Sequence, residues 1–316
     1  MTGKTPVAPP PAPDGEAAAT RCGYVGVLGR ANAGKTTLVN ALVGEKVAIV
    51  GPRPQTTRRR IMGVRTRGRD QFVFCDTPGL HAVRHALDGF MREEVHETLP
   101  GLALALYLVD ASAPAWDEDA AHLADLLAAG LACPVALVVA KCDRVRERAR
   151  LDEIVARARA LHPFVAVCEV AATKDRGLEP LLDVAAAHLP PGPHPYDADT
   201  YTLEPERDIA AEVIREQILA RYRHEVPHAL AVVVEEFKER DGGKTYIRAV
   251  LHPERESHKK ILVGRGGSAI KALGTAARLE LNRMLGRDIF LELWVKVVPG
   301  WRKKAAWLRR LGYRHT

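Results

Sequence analysis

The residues Gly29-Arg30-Ala31-Asn32-Ala33-Gly34-Lys35-Thr36 fit the pattern G-x4-G-K-[ST], directly after an apolar run and at the start of a helical pattern. Phosphate binding is the chemistry such a string performs. Glycines let successive backbone N–H groups turn inward, and the helix N-terminus, with Thr37 in its first turn, adds its dipole. Lys35 is placed to reach β- and γ-phosphate oxygens, and the Thr36 hydroxyl to ligate Mg²⁺. Asp76-Thr77-Pro78-Gly79 follows the apolar run Phe72–Phe74. A carboxylate at a strand end can hold Mg²⁺, commonly through water, and the Gly79 amide can approach a γ-phosphate because no side chain blocks it. Between the two motifs, Gly51 to Arg60 is polar and Pro-containing and is expected to be mobile. Thr56 or Thr57 there could supply a second hydroxyl to Mg²⁺. Lys141-Cys142-Asp143 follows the apolar run Val135–Val139. A carboxylate facing a purine can accept both guanine donors, the ring N1–H and the exocyclic amine. Adenine lacks that pattern and would leave the polar group unpaired.

A second constellation lies near the C-terminus. Gly264-Arg265-Gly266-Gly267 sits between two helical patterns, with Lys259, Lys260 and Lys271 flanking it. Turns free of side chains let a nucleic-acid backbone approach closely, and a GXXG loop that clamps about four nucleotides is the device of KH domains. Charge agrees with this. Residues 252–316 carry fifteen Lys and Arg against five Asp and Glu, a balance of +10, although the whole chain is only +7. A basic third on a nearly neutral body suits a polyanionic partner. Few aromatics interleave with the basic residues, so a clamped backbone is favoured over base stacking. Trp294 alternates with apolar neighbours and reads as core. Trp301 and Trp307 could pack, stack on RNA or meet an anionic membrane surface, packing being the favoured reading.

These residues must be held by two kinds of scaffold. From Cys22 to about Leu189, apolar runs (Gly23–Leu28, Gln71–Cys75, Ala103–Val109, Pro134–Ala140, Phe164–Val170) alternate with amphipathic stretches. That alternation predicts an α/β domain, a mostly parallel sheet with helices on both faces. Pro190-Pro191-Gly192-Pro193-His194-Pro195 interrupts regular structure. Beyond it the order is αββααβ: a helix Glu206–Arg221, strands His228–Phe237 and Lys244–Leu251 joined at Asp241-Gly242-Gly243, helices Ser257–Val263 and Ser268–Leu285, and a strand Asp288–Val297. This predicts a small α+β module. The expected organisation is a disordered Pro/Ala-rich leader over 1–20, a nucleotide-binding domain over 21–189, a linker over 190–204, and a KH domain with a basic tail over 205–316.

The 316 residues, 47% hydrophobic and 27% charged, contain no apolar stretch approaching the ~18 residues of a membrane span. Five cysteines without a CxxC pair argue against a disulfide framework and a zinc site, and fit a reducing cytoplasm.

The set Gly29–Thr36, Thr57, Asp76–Gly79 and Lys141–Asp143 resembles the ordered motifs of the translation-factor-related GTPases. With Gln55-Thr56-Thr57-Arg58, Asp76-Thr77-Pro78-Gly79-Leu80-His81, Gly264–Gly267, Gly274-Thr275-Ala276-Ala277-Arg278 and Glu292–Val297 added, the chain resembles the Era family from Cys22 to Tyr313. The resemblance implies a P-loop GTPase with a C-terminal KH domain that binds and hydrolyses GTP, with GTP or GDP as ligand and Mg²⁺ as cofactor. It assigns Lys35, Thr57 and Gly79 to catalysis, and Thr36, Thr57 and Asp76 to the metal. Nucleotide contacts fall on Gly29, Asn32, Ala33, Gly34, Lys35, Thr36, Thr37, Asp76, Gly79, Lys141, Asp143, Ala171 and Ala172. RNA contacts fall on Lys259, Lys260, Gly264, Arg265, Gly266, Gly267 and Lys271. The implied partners are the 3′ end of small-subunit ribosomal RNA and the assembling small subunit. A monomer in the cytoplasm is expected, with peripheral contact at the inner face of the cell membrane as an option. The Asn at Asn32's position helps some relatives hold K⁺. Ala171-Ala172 stands where the family usually has Ser-Ala, a swap expected to be mild because a backbone amide does that work; two further departures stand out. Ala140 occupies the Asn of N-K-x-D, whose side chain helps tie the base loop to the P-loop, so nucleotide affinity is expected to fall. Leu80 stands where many small GTPases carry a water-orienting Gln. These departures favour, as an alternative, a nucleotide-regulated RNA-binding protein with little hydrolysis.

Overall fold

A computed structural model of the chain describes residues 19–51, 56–79, 83–223, 225–240 and 244–313. The expected leader, apart from its last two residues, the turn at Asp241-Gly242-Gly243, and Leu80 lie outside the described residues.

The first half is built on a six-stranded sheet in the order β2-β3-β1-β4-β5-β6. The strands are β1 (Arg21–Gly29), β2 (Ile61–Arg67), β3 (Asp70–Asp76), β4 (Leu102–Asp110), β5 (Val135–Ala140) and β6 (Ala166–Val170). All neighbours are parallel except β2 and β3. Central parallel strands are covered on both faces, so they read as continuous apolar runs: all six residues of β5 are buried. Helices α1 (Lys35–Val43) and α5 (Leu178–His188) close one face. Helices α3 (Trp116–Ala128) and α4 (Arg148–Arg159) close the other, and α2 (Ala86–Thr98) adds Val95 to that side. This is the expected α/β architecture, with two elements that the sequence reading omitted. Strand β2 is a polar edge strand, IMGVRTR, whose arginines suit an edge. Helix α2 starts from a capping box between His85 and Asp88.

The segment 190–204 straps that edge. Val64 N donates to Tyr201 O (2.9 Å), Leu203 N to Met62 O (3.2 Å), and Gln71 Nε2 to Tyr196 O (2.8 Å).

The second half comprises α6 (Glu206–Arg221), β7 (Leu230–Glu239), β8 (Thr245–Pro253), α7 (Glu256–Val263), α8 (Ser268–Leu285) and β9 (Ile289–Val295). β7 and β8 are antiparallel and β8 and β9 parallel. The helices pack on one sheet face through Val213, Ile214, Leu262, Leu273 and Leu281. Trp294 corrects the expectation of a core residue. Leu291, Leu293 and Val295 take the inward register, so Trp294 points the other way and is 57% exposed.

The two halves share an apolar cluster. Leu87, Phe90 and Met91 of α2 meet Ala231 of β7 and the C-terminal Trp301, Leu308, Leu311 and Tyr313, the last residues around α9 (Ala305–Arg310). Trp301 is fully buried, as packing requires.

Candidate functional site

The first constellation forms where the strand order reverses, beyond the carboxyl ends of β1 and β3. β1 ends at Gly29, the chain turns through Asn32 in the left-handed region (φ 62°), and α1 begins at Lys35. Lys35 is buried, and its ammonium donates to Gly29 O (2.7 Å) and Arg30 O (2.8 Å). Burial lowers its pKa to about 8. A phosphate could replace those carbonyls as acceptor and restore the full charge.

Three oxygen-bearing side chains converge beside it. The Thr36 hydroxyl donates to Asp76 Oδ2 (2.7 Å) and lies 2.9 Å from Thr57 Oγ1, which itself donates to Asp76 Oδ2 (3.3 Å). Asp76 is fully buried, and burial pushes its carboxyl up to about 6. Among the described residues, its Oδ1 is buried without a hydrogen-bond partner. Two hydroxyls and a carboxylate with an unsatisfied oxygen are a donor set for a hard divalent cation that takes its other ligands from water and phosphate, as Mg²⁺ does. Gly79 packs on the P-loop so closely that a Cβ there would lie 2.4 Å from Ala31 Cα. Only glycine fits that approach. The surrounding open cleft is lined by Asn32, Gly34, Thr37, Thr57 and Gly79 among others. Ala33 is buried beneath the loop.

The segment expected to be mobile is anchored from residue 56 onward. Thr56, Thr57 and Arg58 are all buried. The reason is a set of contacts with the second half, described below.

A neighbouring pocket is lined by Ala140, Lys141, Asp143, Ala172 and Thr173. Asp143 is exposed there, in a single 3₁₀ turn after β5. Beside Ala140, the motif's own lysine links the base loop to the P-loop: Lys141 Nζ donates to Asn32 O (2.7 Å) and Asp110 Oδ2 (2.5 Å). Ala171 differs from expectation, because its N–H is spent on Arg176 O (3.0 Å) and its side chain is buried. Of that pair, only Ala172 lines the pocket. Asp110, Arg144 and Thr173 were missed. Asp110 had a readable signal, a carboxylate at a strand's carboxyl end.

In the second half, Gly264 ends α7, Arg265–Gly267 makes one 3₁₀ turn, and Ser268 opens α8. Lys260, Arg265 and Lys271 are exposed, and Lys259 is half-buried. An open groove beside them runs between α8 and β9, lined by Ile270, Gly274, Thr275, Arg278, Leu291 and Leu293. Arg278 adds a cation that the site prediction did not include.

A family profile described as "50S ribosome-binding GTPase" matches residues 24–141, and a "KH domain" profile matches 225–302. GTPase Era of Halothermothrix orenii is 38% identical over 295 residues, covering 93% of this chain and 99% of the relative. GTPase Era of Heliobacterium modesticaldum is 40% identical over 294 residues, covering 93% and 97%. The chain belongs to the Era family.

A solved Era in complex with MgGDPNP and nucleotides 1506–1542 of 16S ribosomal RNA superposes with a TM-score of 0.89 at 33% identity, covering 94% of this chain and all of that one. A point variant of Aquifex aeolicus Era bound to GDP·AlF4⁻ gives 0.87 at 32% identity, with the same coverage. The Era family's fold, a P-loop GTPase domain followed by a KH domain, is thus the fold of this chain.

Proposed function

We propose that this protein binds and hydrolyses GTP and, through its KH module, binds single-stranded RNA at the 3′ end of the small-subunit ribosomal RNA during assembly of the small subunit. One observation carries the reading: a relative solved with MgGDPNP and 16S RNA together matches this chain across both halves.

In this reading Thr36, Thr57 and Asp76 would hold Mg²⁺, which would supply positive charge to offset that of the phosphates. Lys35 exchanges Gly29 O and Arg30 O for phosphate oxygens. The Gly29–Thr37 backbone cradles the phosphates, and the Gly79 amide meets the γ-phosphate. Asp143 accepts from guanine while Lys141 braces the base loop and Ala172 lines it. Asn32, at the cleft, is assigned to K⁺. Gly264–Gly267 clamps the RNA backbone, with Lys259, Lys260, Arg265 and Lys271 on phosphates. A cytoplasmic location is part of this reading. With Trp301 buried, peripheral membrane contact would rest on the exposed Lys303, Lys304, Arg309 and Arg310.

Comparing GTP with ATP binding, then GTP turnover with and without KCl, tests the reading. GTP preference, Mg²⁺-dependent turnover and loss of nearly all turnover in Lys35→Ala are expected. Equal competition by ATP, or turnover within a few-fold of the parent in Lys35→Ala, would contradict it.

A further inference from the structure

Thr57 is bracketed by two arginines that cross between the halves in opposite directions. Arg58 leaves the GTPase half and is 3% exposed. Its guanidinium donates to Leu230 O (2.8 Å), the Tyr313 hydroxyl (3.0 Å), His228 O (3.1 Å) and Pro227 O (3.3 Å). It also lies 5.9 Å from the centroid of the Trp301 ring. All these partners belong to the KH half. Arg215 of α6 travels the other way. It is 1% exposed, and it donates to Thr56 O and to Glu212, with Nε to Glu212 Oε1 at 3.0 Å. Further along, the chain is held as well: Arg60 N donates to Glu94 Oε2 (2.9 Å).

We propose that Arg58 and Arg215 are positioning residues through which the KH half sets the Thr57 hydroxyl against Thr36 and Asp76. The inference rests on the reading of Thr36, Thr57 and Asp76 as the Mg²⁺ site. Consecutive Cα atoms are about 3.8 Å apart, so fixing residues 56 and 58 leaves Thr57 little room. The fixing is strong because a buried guanidinium that loses its acceptors bears a large desolvation cost. Moving Thr57 away from Asp76 therefore drags Arg58 from four acceptors and Thr56 from Arg215. Undocking the KH half likewise frees Thr57. By linkage, whatever holds Thr57 at a γ-phosphate-bound Mg²⁺ also holds the halves together.

The test compares Arg58→Gln, Arg215→Gln, Thr57→Ala, the double variant Arg58→Gln/Thr57→Ala and a control, Lys46→Ala. Lys46 joins the halves through Glu216 and Glu280 (2.6 and 2.8 Å) without touching residues 56–58. The readouts are the Mg²⁺ concentration that half-saturates GDPNP binding, the affinity for GDP, and amide exchange at residues 56–60. For each arginine variant, an increase of about fivefold or more in the Mg²⁺ requirement is expected, with faster exchange and GDP affinity within about twofold of the parent. In the Thr57→Ala background, Arg58→Gln should add nothing to the Mg²⁺ requirement, and Lys46→Ala should leave it near the parent value. Tyr313→Phe removes one Arg58 acceptor without unburying the arginine. It should move the requirement the same way by less, and it replaces Arg58→Gln if that variant fails to fold. An unchanged Mg²⁺ requirement in the arginine variants, an equal shift in Lys46→Ala, or additive effects of Arg58→Gln and Thr57→Ala would overturn the proposal. If Thr57→Ala itself leaves the Mg²⁺ requirement unchanged, the assigned metal site fails first.

Discussion

Lys141 links the base loop to the P-loop although the Asn before it in the motif is missing. Ala140 removes the family's Asn, yet the lysine beside it reaches both Asn32 O and Asp110. Lys141→Ala should therefore loosen the base loop and weaken nucleotide binding at least about tenfold, since a charge-assisted hydrogen bond is worth about 1.5–3 kcal/mol. Titration of a fluorescent GDP analogue measures this, and an unchanged affinity would return the tie to other residues. Asp143→Asn exchanges a pure acceptor for a mixed donor–acceptor, so the preference for GTP over ATP in a competition assay should collapse. At this scale the sequence was most readable where spacing itself encodes chemistry, as in Gly29–Thr36 and Asp76–Gly79. Asp110 carried a signal that was passed over, a carboxylate at a strand's carboxyl end, whereas Arg58 escaped because its partners lie far along the chain and no local pattern announces them.

Among elements, the turn between α7 and α8 is the most exposed to mutation. Gly266 and Gly267 have φ of 58° and 79°, and a Cβ at either would meet nothing within 4 Å. Asp tolerates the left-handed region better than most residues, so replacing both by Asp adds two negative charges with modest strain. RNA binding should be lost while GTP affinity stays within about twofold; retained RNA affinity would remove this loop from the interface. Helix α8 also carries Glu280, which Arg283 and then Lys46 hold down to about 2. A carboxylate depressed in the folded state stabilises the protein above its unfolded pKa and loses that contribution as pH falls through the folded value. Thermal stability should thus fall less steeply between about pH 4.5 and 2 in Glu280→Gln than in the parent. Identical slopes would show that this ion pair is screened to irrelevance, as many half-exposed pairs are. Elements were legible where apolar runs were long, as in β4 and β5. Strand β2 was not, because an edge strand rich in arginine looks like loop. Helix α2 carries apolar residues at Leu87, Phe90, Met91 and Val95, a readable period hidden behind a loop motif. Trp294 was misread because alternation in a strand shows that two faces differ without saying which is covered.

In the whole molecule, the two sites are joined by more than a tether. The strap over 190–204 is pinned along β2, the apolar cluster around Trp301 spans both halves, and Arg58 and Arg215 interlock beside Thr57. Helix α6, which bears Arg215, packs through Val213 and Ile214 in the same core as Leu273 and Leu281 of α8, the helix that opens at the GXXG loop. If a γ-phosphate holds Thr57 as proposed, it would act on a packed unit that includes the groove beside the GXXG loop. Such coupling is reciprocal: RNA must favour the triphosphate state by the factor with which that state favours RNA. The most direct measurement is the affinity of a single-stranded fragment from the 3′ end of small-subunit ribosomal RNA for the protein loaded with Mg²⁺ and either GDPNP or GDP, at one fixed salt concentration. The account predicts tighter binding with GDPNP by ~5–150-fold. Equal affinities in the two nucleotide states would contradict it and leave two binding modules that merely share a chain.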